Sequence, residues 1–464
     1  GAVGGDMSTH GALRSGQAQA LAALETLGIA AKARELPKAE VLKVKAQDLN
    51  LVCPGGVYRT GGASGTKLGA FESIGAPDIN SDFNGPAGTT MLIRGNLLTA
   101  VDPAGLAEQS SVLMNANQIQ TVNTDGLTGL TGAACQRPTN SLWFIGGDTS
   151  TGRESLLIVK NVTKVDSTVN LEIFNERGLV TGSGMSGISV PAGKTTVIPL
   201  ASYVPKTKTF VTHVVSRGGL VAAWIQQKTI RGLAAGGVDY VSPTSGFGKT
   251  QAIPGVFVRG AADAAKLAAN ADFADLVPTL RVFVPGSKPA TVTAQVIGST
   301  ATTYGTVVRQ TIPAGTTADI ALPGLADGDF VAIVKSDEVV GSAIRLHRVV
   351  KKSVDFAWLS AAESHTGVVG LSVPTAGISK LSLANPSNSL IDLRLVQNGG
   401  TAANFKIPAA GQLTLKFAPG TKLELSGNAK ALLGTLIVDI DGSLAAVPLV
   451  DYKNPGGEVA VMVR

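Results

Sequence analysis

The chain has 464 residues and a mass of 47.1 kDa, which leaves room for roughly three or four cores of ordinary size. Charged residues make up only 16% and glycine numbers 56; with abundant Val, Thr, Ile and Ala, this predicts an all-β protein with many turns and excludes a disordered chain. The net charge of +6 is spread thinly, and its densest cluster, Arg345, His347, Arg348, Lys351 and Lys352, lacks interleaved aromatics. It reads as a solvated strand face and argues against nucleic-acid binding.

Residues 1–37 are Gly- and Ala-rich and read as a lead-in or one short helix, since Gly16 and Gly28 bracket Ala18 to Leu27 closely. A β-rich but irregular region follows over 38–139, with candidate strands ending at Cys53, at 91–93, 97–101 and 111–122. Cys53 and Cys135 are suited to one disulfide, worth about 4 kcal/mol in the chain-entropy model, with two unpaired buried thiols as the alternative. Neither has a neighbour at metal-ligand spacing.

From residue 140 a pattern recurs three times. Strand pairs alternate apolar and polar residues, as in Val169, Leu171 and Ile173 against Asn170 and Glu172. Next comes a Pro-containing turn: Pro191 with Gly193, Pro313 with Gly315, then Pro408. Later glycines, Gly219, Gly341 and Gly434, precede or open a further strand. Each copy closes on Asp plus an aromatic: Asp239-Tyr240, Asp355-Phe356 and Asp451-Tyr452. The Asp reads as a turn cap with the ring packed beneath it. The period, roughly 95 to 120 residues, is too long for a solenoid and fits an immunoglobulin-like sandwich. The expected architecture is therefore three tandem immunoglobulin-like β-sandwiches over 140–243, 279–361 and 367–464, behaving as beads, with 244–278 a linker.

Several motifs resemble signatures of chemistry. Gly182 to Gly187 fits a dinucleotide fingerprint, and Pro243 to Thr250 mimics a phosphate loop, but strand and turn follow each where a helix is required. His10 lies in the lead-in; His213 and His347 fall on strands, facing solvent or a neighbour; His365 follows Ser364 at a junction. No Ser sits in a nucleophile elbow. Glu172 with Glu176 and Asp327 with Asp329 read as surface turn residues. Trp143, Trp224 and Trp358 lie in repeat motifs and read as core or junction residues, which weakens a lectin-like reading. No catalytic residue, cofactor or metal site is expected, and the chain reads as not an enzyme.

Cys53-Pro54-Gly55, the run Ala133 to Gly147, Gly152-Arg153, Val214 to Ala223 and Asp355 to Trp358 together resemble an actinobacterial family of large exported proteins classed as a domain of unknown function. The resemblance implies an extracytoplasmic, cell-envelope location and a protein partner there, with a membrane glycosyltransferase as the implied partner. It offers no catalytic residues, and Gly56 departs from the family's usual proline. No run reaches the roughly 18 apolar residues of a membrane span, so membrane contact is expected only through an anchor outside this chain. The leading expectation is a non-catalytic scaffold for polysaccharide assembly. The alternatives are a carbohydrate-binding or adhesive module and, least favoured, an enzyme with a site at a domain junction.

Overall fold

A computed structural model describes residues 39–43, 49–60, 70–85, 87–101, 112–124, 126–244, 246–300, 305–427, 430–450 and 458–462. The protein is all-β. Strand β1 (Ala39–Lys43) pairs antiparallel with the last strand, β34 (Glu458–Met462), and this ribbon belongs to a small unit of its own. The second unit spans residues 47–454.

The second unit begins with β2 (Leu49–Val52), β3 (Val57–Thr60), β4 (Phe71–Ile74), β5 (Asp78–Asn84), β6 (Thr90–Arg94), β7 (Leu97–Val101), β8 (Leu113–Thr124) and β9 (Leu127–Ala134). These make three small sheets, ordered β2-β7-β6, β3-β4 and β5-β8-β9. Cys53, just after β2, and Cys135, just after β9, form a buried disulfide, so the paired alternative is the one realised.

The first segment after it contains β10 (Ser141–Ile145), β11 (Arg153–Lys160), β12 (Ser167–Asn175), β13 (Gly178–Val180), β14 (Ile188–Val190), β15 (Thr195–Pro199), β16 (Phe210–Gly218), β17 (Ala222–Arg231) and β18 (Ala234–Val241). One sheet runs β10-β16-β12-β13, with β14 also on β12; the other runs β15-β11-β17-β18. The second segment contains β19 (Gly248–Val258), the short helix α1 (Ala261–Leu267), β20 (Thr279–Phe283), β21 (Ala290–Gly298), β22 (Val307–Ile312), β23 (Thr317–Ala321), β24 (Gly328–Val350) and β25 (Ser353–Ser360). The first half of β24 lies between β19 and β21, and its second half lies between β20 and β25. The third segment contains β26 (Val369–Ser372), β27 (Ile378–Asn385), β28 (Ile391–Gln397), β29 (Ala403–Ile407), β30 (Gly411–Phe417), β31 (Lys422–Ser426), β32 (Leu433–Ile440) and β33 (Ser443–Pro448). Its sheets run β26-β31-β28-β29 and β30-β27-β32-β33. Once β13 and β14 are counted together and β24 is counted twice, all three segments have the same order of strands.

Alternation builds the strands as expected. In β12, Val169, Leu171 and Ile173 are buried while Thr168 and Glu172 are exposed. The Pro turns share one backbone shape: Gly193 and Gly315 both hold φ near +68° and +69°, and in the third segment Ala410 takes that left-handed place at +47°. Gly341 answers a different need. A Cβ there would lie 2.4 Å from Ile145 Cδ1 and 2.6 Å from Phe247 Cε1, so the first segment packs directly onto the β24 backbone.

Three expectations fail here. The third sandwich does not extend over 367–464: its last strand, β33, ends at Pro448, and β34 pairs instead with β1 in the small unit. Residues 248–258, assigned to a linker, are a full strand of the second segment, because Ile253 and Val256 to Val258 supply buried apolar contacts to its core. The segments are also not beads. The core of the first takes in Phe283, Ala343, Phe356 and Trp358 from the second; the core of the second takes in Ile437, Leu444 and Ala446 from the third. The core of the third takes in Ile119, Leu130 and Ala134 from the N-terminal region. The closing strands explain this: β9 packs on β18, β18 on β25, β25 on β33 and β33 on β9, a closed ring of four.

A non-glycine residue in the left-handed region costs about 1 kcal/mol where glycine is free. Ala410→Gly is therefore expected to stabilise the protein by about 1 kcal/mol in urea unfolding, with no change in m-value.

Candidate functional site

The predicted Asp residues sit at the centre of that ring of strands. Asp239 Oδ1 accepts from the Gly132 N–H of β9 at 3.4 Å, and its Oδ2 accepts from the Trp358 N–H of β25 at 3.1 Å. Asp355 Oδ2 accepts from the N–H groups of Leu130 in β9, at 3.0 Å, and Leu444 in β33, at 3.1 Å. Both carboxyls are buried. They are not turn caps at the surface, as the dipeptide pattern suggested, but staples between segments. Gly237, at φ +112°, makes the space: a Cβ there would come within 2.6 Å of Asp355 Oδ1. Tyr240 and Phe356 pack into cores beside them, while Asp451 and Tyr452 lie outside the described residues.

Burial raises both carboxyls, Asp355 to about 7 and Asp239 well above its usual range, with the Asp355 charge adding to the second. The native state thus holds protons that the unfolded chain, with its carboxyls near about 3.9, releases.

A second constellation joins the first two segments. Arg281 of β20 is fully enclosed and spends all its donors: Nε and Nη2 on Asp319 at 2.7 and 3.0 Å, Nη1 on the Gly147 and Phe210 carbonyls, and Nη2 also on Lys208 O. Its guanidinium lies 4.9 Å from the Trp358 ring. Burial pushes the Asp319 carboxyl up, yet the Arg281 charge and hydrogen bonds hold it below its ordinary value. Beside it, Arg231 and Arg153 both bind Asp275 at 2.8 Å. Arg345 and His347, expected on a solvated face, are buried here, because the Asp275 turn and the Trp358 ring cover this part of β24. Burial, reinforced by the Arg345 charge, drives His347 well below its usual value, so it is neutral.

The third feature is a cleft of about 820 Å³ between the second and third segments. Its walls include Phe247, Thr250, Lys335, Ser387, Asn388 and Lys430, and no Asp or Glu lines it among the described residues. The 385–389 loop is pre-formed: Asn385 Nδ2 donates to the Ser389, Ile407 and Pro408 carbonyls, and Lys430 Nζ reaches Ser389 Oγ and Leu390 O. Sequence reasoning missed this cleft, because its walls come from positions more than 100 residues apart.

The remaining candidates divide. Trp224 is buried in a core, and Trp358 is buried and donates its indole N–H to Gln227. His365 is buried, with Nε2 2.7 Å from Leu449 O. Asp329 is no free turn residue, since Arg259 and Lys380 both pair with it, and Asp327 accepts from Ala261 N–H. Glu172 pairs with His213 across β12 and β16, which sets it apart from Glu176. Among the described residues no group of three metal-ligating side chains occurs, and no helix is long and apolar enough to cross a membrane.

With this geometry in view, comparison with known families matches residues 99–420, from within the N-terminal region to the third segment. The chain belongs to a family of unknown function (DUF5719). The match is narrower than the motif resemblance, which covers roughly residues 40–460. No curated protein matches the chain.

Two outcomes test the family member's buried charges. Stability attributable to Asp355 is full below about pH 4 and is lost as pH rises through about 7; Asp355→Asn is expected to flatten that decline in urea titrations at pH 4, 5.5, 7 and 8. Asp319→Ala leaves Arg281 buried without its carboxylate and is expected to cost about 3–5 kcal/mol in the same assay, against about 1 kcal/mol for an average substitution.

Proposed function

We propose that this chain is an extracytoplasmic envelope protein that holds an anionic polysaccharide in the cleft between its second and third segments. The observation that carries the reading is the lining of that cleft, in which hydroxyls, amides and one aromatic ring surround two lysines without a carboxylate. Amides and hydroxyls match the donors and acceptors of a sugar, a ring offers a stacking face, and lysines with no carboxylate in the cleft favour uronate or phosphate groups. A volume of about 820 Å³ falls in the range of ligand sites.

The disulfide supports an oxidising compartment. The recurring strand order supports a body made of three copies of one immunoglobulin-like sandwich plan. In this reading the envelope partner is the membrane glycosyltransferase that supplies the polysaccharide, and the rigid block keeps the nascent strand in place.

Affinity electrophoresis checks it. Migration is expected to slow in gels containing polygalacturonate and to be unchanged in neutral dextran. Lys335→Glu with Lys430→Glu is expected to weaken retardation at least tenfold. Equal mobility of the wild type in both gels would sink the reading.

A further inference from the structure

A separate arrangement lies on the outer face of the sheet β10-β16-β12, on strands of the first segment alone. Ser141 Oγ is 2.9 Å from His213 Nε2, and His213 Nδ1 is 2.7 Å from Glu172 Oε2. A carboxylate oxygen accepts, so Nδ1 is assigned the proton and Nε2 accepts from the Ser141 hydroxyl. This is the order of groups that converts a serine into a nucleophile.

Register creates it. His213 lies opposite Trp143 on β10 and opposite Glu172 on β12, and Ser141 is two residues before Trp143 on the same face. The imidazole stacks on the Trp143 indole with centroids 3.9 Å apart and planes within 3°, which fixes its orientation. The indole rests in turn on Phe174, Phe247 and Phe283.

A donor for a developing oxyanion is also in place. Ser216 N–H donates to Asn140 O, so Asn140 and Leu142 make the ladder bonds to β16. The Ser141 N–H therefore points to the other edge of β10. On that edge the bridges Thr139 to Val221 and Trp143 to Thr244 flank Ser141 on either side. A cavity of about 250 Å³ opens there, bordered by Ser141 with Arg137, Leu142, Pro243, Glu363 and Val450. It holds a short acyl group, whereas a long alkyl chain laid there would desolvate Arg137 and Glu363 on its border.

We propose that Ser141, His213 and Glu172 form a catalytic array that hydrolyses short O-acyl esters. Ser141 Oγ attacks the acyl carbon as its proton passes to His213 Nε2, and the oxyanion faces the Ser141 N–H. Collapse expels the alcohol, which takes that proton, and leaves an acyl ester on Ser141. Water, deprotonated by His213, then attacks the ester and releases the carboxylic acid, restoring the serine. Ester and water become acid and alcohol, with nothing else consumed. Glu172 acts as a positioning residue through His213. This activity is independent of the glycan cleft.

The full chain is treated with a fluorophosphonate probe, and its adduct is mapped by peptide mass; hydrolysis of p-nitrophenyl acetate and p-nitrophenyl octanoate is followed in parallel. The expected result is one adduct, on Ser141, with the acetate cleaved at least tenfold faster than the octanoate. Ser141→Ala abolishes both signals, and His213→Gln lowers kcat by 100-fold or more. Glu172→Gln lowers kcat about tenfold with KM unchanged, and Glu172→Asp restores part of it. Ser141→Cys guards against loss of fold, since a folded variant is expected to alkylate with iodoacetamide faster than its His213→Gln counterpart. Absence of an adduct on a folded wild type, or an adduct and turnover that survive Ser141→Ala, would show a cross-strand pairing only and overturn the proposal.

Discussion

Two buried carboxylates hold this protein together by accepting backbone N–H groups from other segments. A strand edge buried against another segment carries N–H groups that must find acceptors, and in the middle of the ring no further strand is there to provide them. Asp239 and Asp355 supply the acceptors: one spans β9 and β25, the other β9 and β33. Among the described residues neither pairs with a cation, and burial favours a retained proton over ionisation. The cores that run across segment boundaries follow from that junction.

The Arg281 contact has a different logic. A buried guanidinium is tolerable only when every donor is used, and here the acceptors are carbonyls of the first segment together with a carboxylate of the second. It fixes the angle between two segments through directional bonds, where apolar packing alone would permit sliding. The charged cluster around Asp275 extends the same seam.

Much of the fold was legible in sequence because strand alternation and turns are local. Val169, Leu171 and Ile173 announced their strand, the Pro-Ala-Gly runs announced their turns, and the two cysteines were suited to the bond they form. What was not legible depends on long-range register. Nothing in the local sequence around Ser141, Glu172 or His213 tells that they face one another, since that depends on the pairing of three strands spread over about 70 residues. The closing Asp residues were found by repetition, but a repeated dipeptide looks the same whether it caps a turn or staples a core. Arg345 and His347 misled for a related reason: alternation shows that a strand has two faces, not that both are covered, as they are in the second half of β24.

The ring of four closing strands has a consequence for biosynthesis. β9 emerges from the ribosome early and β33 very late, yet they are neighbours. Until the last segment is made, Leu130 and Ala134 lack the apolar surface that covers them, and Asp355 has only one of its inter-segment donors. Contacts so distant along the chain make for slow assembly, and the exposed edges of β9 and β25 would be open to wrong partners meanwhile. Shielding of these edges until synthesis is complete suits a polypeptide whose early strands cannot settle until the late ones arrive.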